Sequence, residues 1–176
     1  MSKKKLATIW LAGCSGCHMS LLDIDERLLD IAKIADIVKS PIVDRKELPE
    51  VDIALVEGAV ASDEHLSEIK KIRQKAKILV SLGDCAVTAN VAALRNWIPR
   101  ERVLSRSYSE AESNDGKVIP NDEAIQKLAE KALPLHEVVK VDFYIPGCPP
   151  SADLIFYVLN ELLNDRIPVL DKVKYG

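Results

Sequence analysis

Four residues of this 176-residue chain stand out as able to do chemistry: Cys14, Cys17, Cys85 and Cys148. Thiolates bind soft metal ions and iron–sulfur clusters, or exchange with disulfides. Two of the four form the close pair Cys14-Ser15-Gly16-Cys17, and the other two are singletons far along the chain. A glycine lies close to each: Gly13, Gly16, Gly83 and Gly147. Glycine lets the backbone approach a bulky inorganic core and present N–H groups to its sulfurs. Each cysteine taken alone reads as a small buried hydrophobe, and it is their shared position that argues otherwise.

That position follows from the elements around them. Leu6 to Leu11 reads as a buried first strand. Leu21, Ile24, Leu28, Ile31 and Ala35 recur at helical spacing. Ile42 and Val43 suggest a short strand, and Val51 to Val60 a clear one. A helix capped by Ser62 runs to about Gln74, a strand covers Lys77 to Leu82, and a helix runs from about Val87 to Arg95. Asn121 caps a further helix through Leu133, Val141 to Ile145 is the last strand, and Ser151 caps a final helix. This alternation predicts an α/β fold with a mostly parallel sheet of about five strands and helices on both faces. The length suits one domain over 1–176, with 98–120 as a long polar excursion inside it. Every cysteine then follows the end of a strand and lies outside the elements. All four fall on the carboxyl edge, where open parallel sheets bind ligands.

Four thiols on one edge suit an iron–sulfur cluster or tetrahedral zinc. A third reading is a Cys14/Cys17 redox pair with two unrelated thiols. Structural zinc more often takes two short-range cysteine pairs, whereas a cubane accepts ligands from separate loops. Glu57 ends an apolar strand on the same edge, as a candidate for proton relay or for a hydrogen bond at an interface; a strand-end acid in water is the plain alternative. His18, beside the pair, is a supporting or interface candidate, or simply a surface histidine. Asp84 reads as a loop or helix-start residue next to Cys85. His65 and His136 belong to no constellation.

Composition narrows the function. There are 24 Lys and Arg against 27 Asp and Glu, a net charge of −3, which does not favour general nucleic-acid binding. No apolar run reaches transmembrane length. The leading Met1-Ser2-Lys3-Lys4-Lys5 is followed by too short an apolar stretch for a signal peptide. The expected compartment is therefore the cytoplasm, where four cysteines do not form a disulfide framework. Neither a phosphate-binding glycine loop nor a nucleophile elbow is present. An electron carrier fits better than an enzyme acting on an organic substrate.

The run Trp10-Leu11-Ala12-Gly13-Cys14-Ser15-Gly16-Cys17-His18-Met19-Ser20 strongly resembles the start of the small, electron-transfer subunit of nickel–iron hydrogenases. Val56-Glu57-Gly58, Gly83-Asp84-Cys85-Ala86 and Pro146-Gly147-Cys148-Pro149-Pro150 match that family in order. The resemblance implies a flavodoxin-like fold, with Cys14, Cys17, Cys85 and Cys148 holding one proximal [4Fe–4S] cluster. Gly13, Gly16, His18, Glu57, Asp84 and Gly147 would surround it. It also implies a nickel–iron centre in a separate large subunit. Family members at membranes carry a twin-arginine signal and cysteines for more clusters, and this sequence has neither. It looks like the short small subunit of cytoplasmic bidirectional NAD(P)-linked hydrogenases, whose diaphorase partner carries FMN and further clusters. The cluster subunit of respiratory complex I is related but typically begins its ligand set with adjacent cysteines. A quinone- or F420-linked oxidoreductase subunit and a zinc-stabilised interaction domain are the competing expectations.

Overall fold

The most apolar runs of the sequence become the inner strands of one parallel sheet. The computed structural model describes residues 3–45 and 47–170; Met1 and Ser2 of the leading basic stretch lie outside the described residues. Strands β1 (Lys4–Trp10), β2 (Ala35–Lys39), β3 (Val51–Glu57), β5 (Ala76–Leu82) and β7 (Phe143–Ile145) make a five-stranded sheet in the order β2-β1-β3-β5-β7. All its pairings are parallel, with Leu6 opposite Ile53, Ile53 opposite Ile78, and Leu82 opposite Ile145. β4 (Val60–Ser62) and β6 (Leu128–Leu133) form a separate antiparallel pair.

Both faces of the sheet are covered, as parallel sheets require. On one face Leu6, Leu55, Val80 and Leu82 pack with Leu21 of α1 (Gly16–Leu22), Ile31 of α2 (Leu28–Ile34), and Ile155, Val158 and Leu159 of α6 (Ala152–Leu163). On the other, Ile9, Ala54, Val56 and Leu79 meet Ile69 and Ile72 of α3 (Asp63–Lys75). Alternate residues of each strand thus feed opposite cores. The Ser62 hydroxyl accepts from His65 N at 3.2 Å and that of Ser151 from Leu154 N at 3.3 Å, so two of the three predicted caps are present, while no helix begins at Asn121.

Several boundaries differ from expectation. The helical stretch through Ala35 is interrupted: Asp25 adopts a left-handed φ of 60°, a 3₁₀ turn spans Asp25–Arg27, and Ala35 opens β2. β2 is a polar edge strand, which hid it, while Ile42 and Val43 lie in the turn after it. The strand expected over Val51 to Val60 divides at Gly58 into β3 and β4. The helix expected to run through Leu133 is instead β6, whose helix-forming residues yield to pairing with β4 and to packing of Ala132 against Ala59, Ala61 and Ala89. The helix expected from Val87 breaks at left-handed Ala89, between α4 (Asp84–Thr88) and a 3₁₀ segment over Asn90–Trp97. The polar excursion is partly helical, with α5 (Arg100–Leu104) running into a single π turn over Ser105–Ser109.

Candidate metal centre at the carboxyl edge of the sheet

The loops after β1, β5 and β7 carry the thiols. Cys14 lies in the loop leaving β1 and Cys148 in the loop leaving β7; both are exposed. Cys17 and Cys85 depart from the expected placement outside the elements. They sit in the first turns of α1 and α4, because each loop tightens into a helix as soon as it leaves the sheet. Cys17 is buried and Cys85 half-buried, and all four thiols are free.

Close approach of these loops depends on glycine at Gly83. It has φ 79° and ψ 164°, a region essentially reserved for glycine. A Cβ there would lie 2.2 Å from the Cys17 sulfur, so the β1 and β5 loops meet through the missing side chain. Gly16 abuts the Cys14 sulfur, which would lie 3.2 Å from a Cβ, and Gly13 faces Gly58 and Glu57.

Hydrogen bonds tie the loops together. Asp84 is buried and holds the β7 loop at two points: Gly147 N donates to its Oδ1 at 2.7 Å, and its own N–H donates to Gly147 O at 2.9 Å. This fixes Cys85 relative to Cys148. Two contacts were not foreseen. Ser20 Oγ donates to Pro150 O at 2.5 Å, joining α1 to the Cys148 loop, and Asn90 Nδ2 approaches the Cys148 sulfur at 3.7 Å. Ser20 is a small polar residue of α1, and only its place at the end of the run from Trp10 to Ser20 sets it apart in the sequence.

Glu57 and His18 form a buried pair, with 2% and 6% of their surfaces exposed. The carboxylate accepts from His18 N at 2.7 Å and from His18 Nδ1 at 2.6 Å. The water-exposed alternatives for both residues are thereby excluded. His18 Nε2 is buried without a partner, and the Trp10 ring meets the imidazole edge-on at 5.6 Å.

The thiols feel one another's charge. Burial pushes the Cys17 thiol well up, and Glu57, Cys85, Cys14 and Cys148 push the same way. Burial, then Cys148 and Cys14, raise Cys85 against an opposing hydrogen bond from Val91 N. Metal binding must therefore displace protons, as thiolate ligation does in general. Among the described residues, no three His, Cys, Asp or Glu side chains are drawn together as one metal ion requires. Four thiols supplied from three loops, with Gly83 at the Cys17 sulfur and Gly16 at the Cys14 sulfur, are a donor set of the kind that holds an iron–sulfur cluster.

A cavity of about 780 Å³ lies elsewhere, between β4, α5 and residues 119–128, with His65, Arg100, Tyr108 and Lys127 in its wall. Neither buried polar atom left without a partner, His18 Nε2 or Ser81 Oγ, belongs to it. Among the described residues, no helix is long and apolar enough to cross a membrane.

Fold and site define a parallel α/β protein that presents a cysteine constellation at the carboxyl edge of its sheet. More particularly, the chain belongs to the family of the 20 kDa subunit of NADH–ubiquinone oxidoreductase, whose model matches residues 14–162. It is 42% identical over 168 residues to the delta subunit of the NAD-reducing hydrogenase HoxS of Cupriavidus necator, covering 93% of this chain and 80% of that one. It is 40% identical to an F420-non-reducing hydrogenase subunit of Methanothermobacter marburgensis, over 92% of this chain but 54% of that one. The chain thus spans about half the length of that archaeal relative. A chain of the crystal structure of an NAD+-reducing [NiFe]-hydrogenase in the H2-reduced state superposes with a TM-score of 0.97 at 40% identity, covering 99% of this chain and 100% of that one. A [NiFeSe]-hydrogenase of Dm. baculatum shares the fold, with a TM-score of 0.63 at 17% identity, over 98% of this chain and 68% of that one.

Proposed function

We propose that this chain is the electron-transfer subunit of a cytoplasmic NAD(P)-linked nickel–iron hydrogenase, a single domain over 1–176. Cys14, Cys17, Cys85 and Cys148 hold one [4Fe–4S] cluster there. The observation that carries this reading is the placement of four thiols, from the loops after three strands, at one sheet edge, with the Cys17 sulfur against Gly83. When bound, the cluster supplies a one-electron relay between the nickel–iron centre of a large subunit, where H2 yields two protons and two electrons, and a diaphorase carrying FMN and further clusters.

The residues of this chain set the conditions for that relay. Gly83 keeps the Cys17 side free of side-chain bulk, Asp84 holds the loops of Cys85 and Cys148 at a fixed separation, and buried Cys17 shields one side from water. Cys14 and Cys148 are exposed, which suits the approach of a partner. Val91, Leu94 and Trp97 lie on the segment that begins at Asn90, beside Cys148; all three are exposed, Trp97 at 90%. An apolar surface there suits a permanent subunit contact. The match to a chain of an NAD+-reducing [NiFe]-hydrogenase, with a TM-score of 0.97 at 40% identity, supports the NAD(P)-linked reading.

The test is anaerobic purification of the chain with its co-purifying subunits, followed by iron, sulfide and nickel determination and H2-driven NAD(P)+ reduction. About four irons and four sulfides per chain are expected from this subunit beyond those of its partners. Cys148→Ala should abolish nicotinamide reduction and lower the iron content while nickel is retained. Wild-type iron and turnover in that variant would overturn the ligand assignment, and absence of nickel would overturn the link to H2.

A further inference from the structure

Helix α1 carries Cys17 in its first turn, yet its own N-cap residue does not cap it. Ser15 stands at φ 64° and makes no side-chain hydrogen bond to the helix. An N-cap oxygen normally accepts from the N–H two or three residues into the helix. The N–H three residues beyond Ser15 is that of His18, and it donates to Glu57 Oε2 at 2.7 Å. Glu57 is remote in sequence, at the end of β3, where it pairs in register with Trp10 and Leu82. The same oxygen accepts from His18 Nδ1 at 2.6 Å, while Oε1 faces the other end of the loop, 3.6 Å from where a Gly13 Cβ would stand. Glu57 therefore spans the segment from Gly13 to His18. Its backbone sits in a central strand, and its side chain has little freedom to move.

We propose that Glu57 is the positioning residue of the Cys14–Cys17 loop, replacing from β3 the helix cap that Ser15 does not supply and holding the Cys17 sulfur against Gly83. The proposal rests on the cluster reading given above. It concerns reach and acceptor geometry, so it separates from a proton-carrying role by chemistry. Glutamine keeps the reach and an acceptor oxygen but loses the titratable group. Aspartate keeps the charge and the titratable group but is one methylene too short to span from β3 to His18.

The experiment compares Glu57→Gln and Glu57→Asp in the anaerobically purified complex. Three readouts are taken: amide hydrogen exchange of residues 14–20, iron release to a chelator, and the EPR spectrum of the reduced cluster. Glu57→Asp is expected to exchange about tenfold faster in that segment and to release iron several-fold faster, because a hydrogen bond to a charged acceptor is lost. Its EPR line shape should change, while α6 amides keep their protection. Glu57→Gln keeps a neutral acceptor at the same reach, so both rates should rise less than in Glu57→Asp, with an unchanged spectrum. Wild-type behaviour of Glu57→Asp, or exchange in Glu57→Gln as fast as in Glu57→Asp, would overturn the proposal. A wild-type complex in which this chain holds no iron would sink the cluster reading, while the exchange comparison would still decide whether Glu57 fixes the loop.

Discussion

Replacing Gly83 with alanine tests the central geometric claim, that two thiol-bearing loops meet through a missing side chain. The added Cβ would lie 2.2 Å from the Cys17 sulfur and 3.4 Å from Gly147 O. Non-bonded heavy atoms prefer about 3.5–4.0 Å, so the sulfur must retreat by more than about 1 Å. Overpacking of this kind costs about 1–3 kcal/mol. The backbone adds to it, since φ 79° with ψ 164° lies where only glycine is comfortable, at a further cost of about 1–3 kcal/mol. A total of roughly 2–6 kcal/mol is a large share of the 5–15 kcal/mol typical of a domain. It corresponds to a fall in Tm of roughly 5–20 °C for a chain of this size. The assay is thermal denaturation under anaerobic conditions together with iron per chain. Gly116→Ala is the control, since the nearest atom there is the Asn114 side-chain oxygen at 3.6 Å. Wild-type Tm and iron content in Gly83→Ala would refute the contact between the loops.

Asp84→Ala removes the carboxylate that accepts from Gly147 N; it should cost about 1–3 kcal/mol and raise hydrogen exchange around residues 146–149 more than in α3, read by mass spectrometry. Asp142 accepts from Leu79 N at 2.9 Å and from Arg73, and although burial alone would raise its carboxyl, these contacts hold it below the usual carboxylate range. A depressed carboxylate contributes stability that is present above its unfolded value and is lost as pH falls through the folded one. Denaturant titrations should therefore show the difference between wild type and Asp142→Asn shrinking below about pH 4.

The sheet was legible because its inner strands are buried on both faces and read as unbroken apolar runs, as in Ile53-Ala54-Leu55-Val56. The cysteine edge was legible for a related reason: strand ends are punctuated by glycine, and parallel strands place all their ends on one side. β2 was not legible, since an edge strand carries Asp36 and Lys39 in place of an apolar run. β6 was misread because Leu128-Ala129-Glu130-Lys131-Ala132-Leu133 has helical composition, and only its partner β4 makes it a strand. Within the site, the residue types and their edge were readable, but the pairings were not. That Glu57 reaches His18, Asp84 reaches Gly147 and Ser20 reaches Pro150 depends on where loops from distant parts of the chain come to rest, which no local pattern encodes.

The strand that delivers Cys148 is three residues long, lies at the sheet border, and joins only β5. It is also the last strand in chain order among the described residues. At ordinary translation speeds, on the order of 10 s separates the emergence of Cys17 from that of Cys148. During that interval the nascent chain displays two thiols, then three once Cys85 has emerged, with no fourth to close the set, and oxidants or stray metal ions compete for them. An iron-delivery step that acted on the growing polypeptide would meet an unfinished receptacle. A cluster held by all four cysteines, as proposed, would be loaded only once β7 has docked, so the strand order would set the timing of maturation.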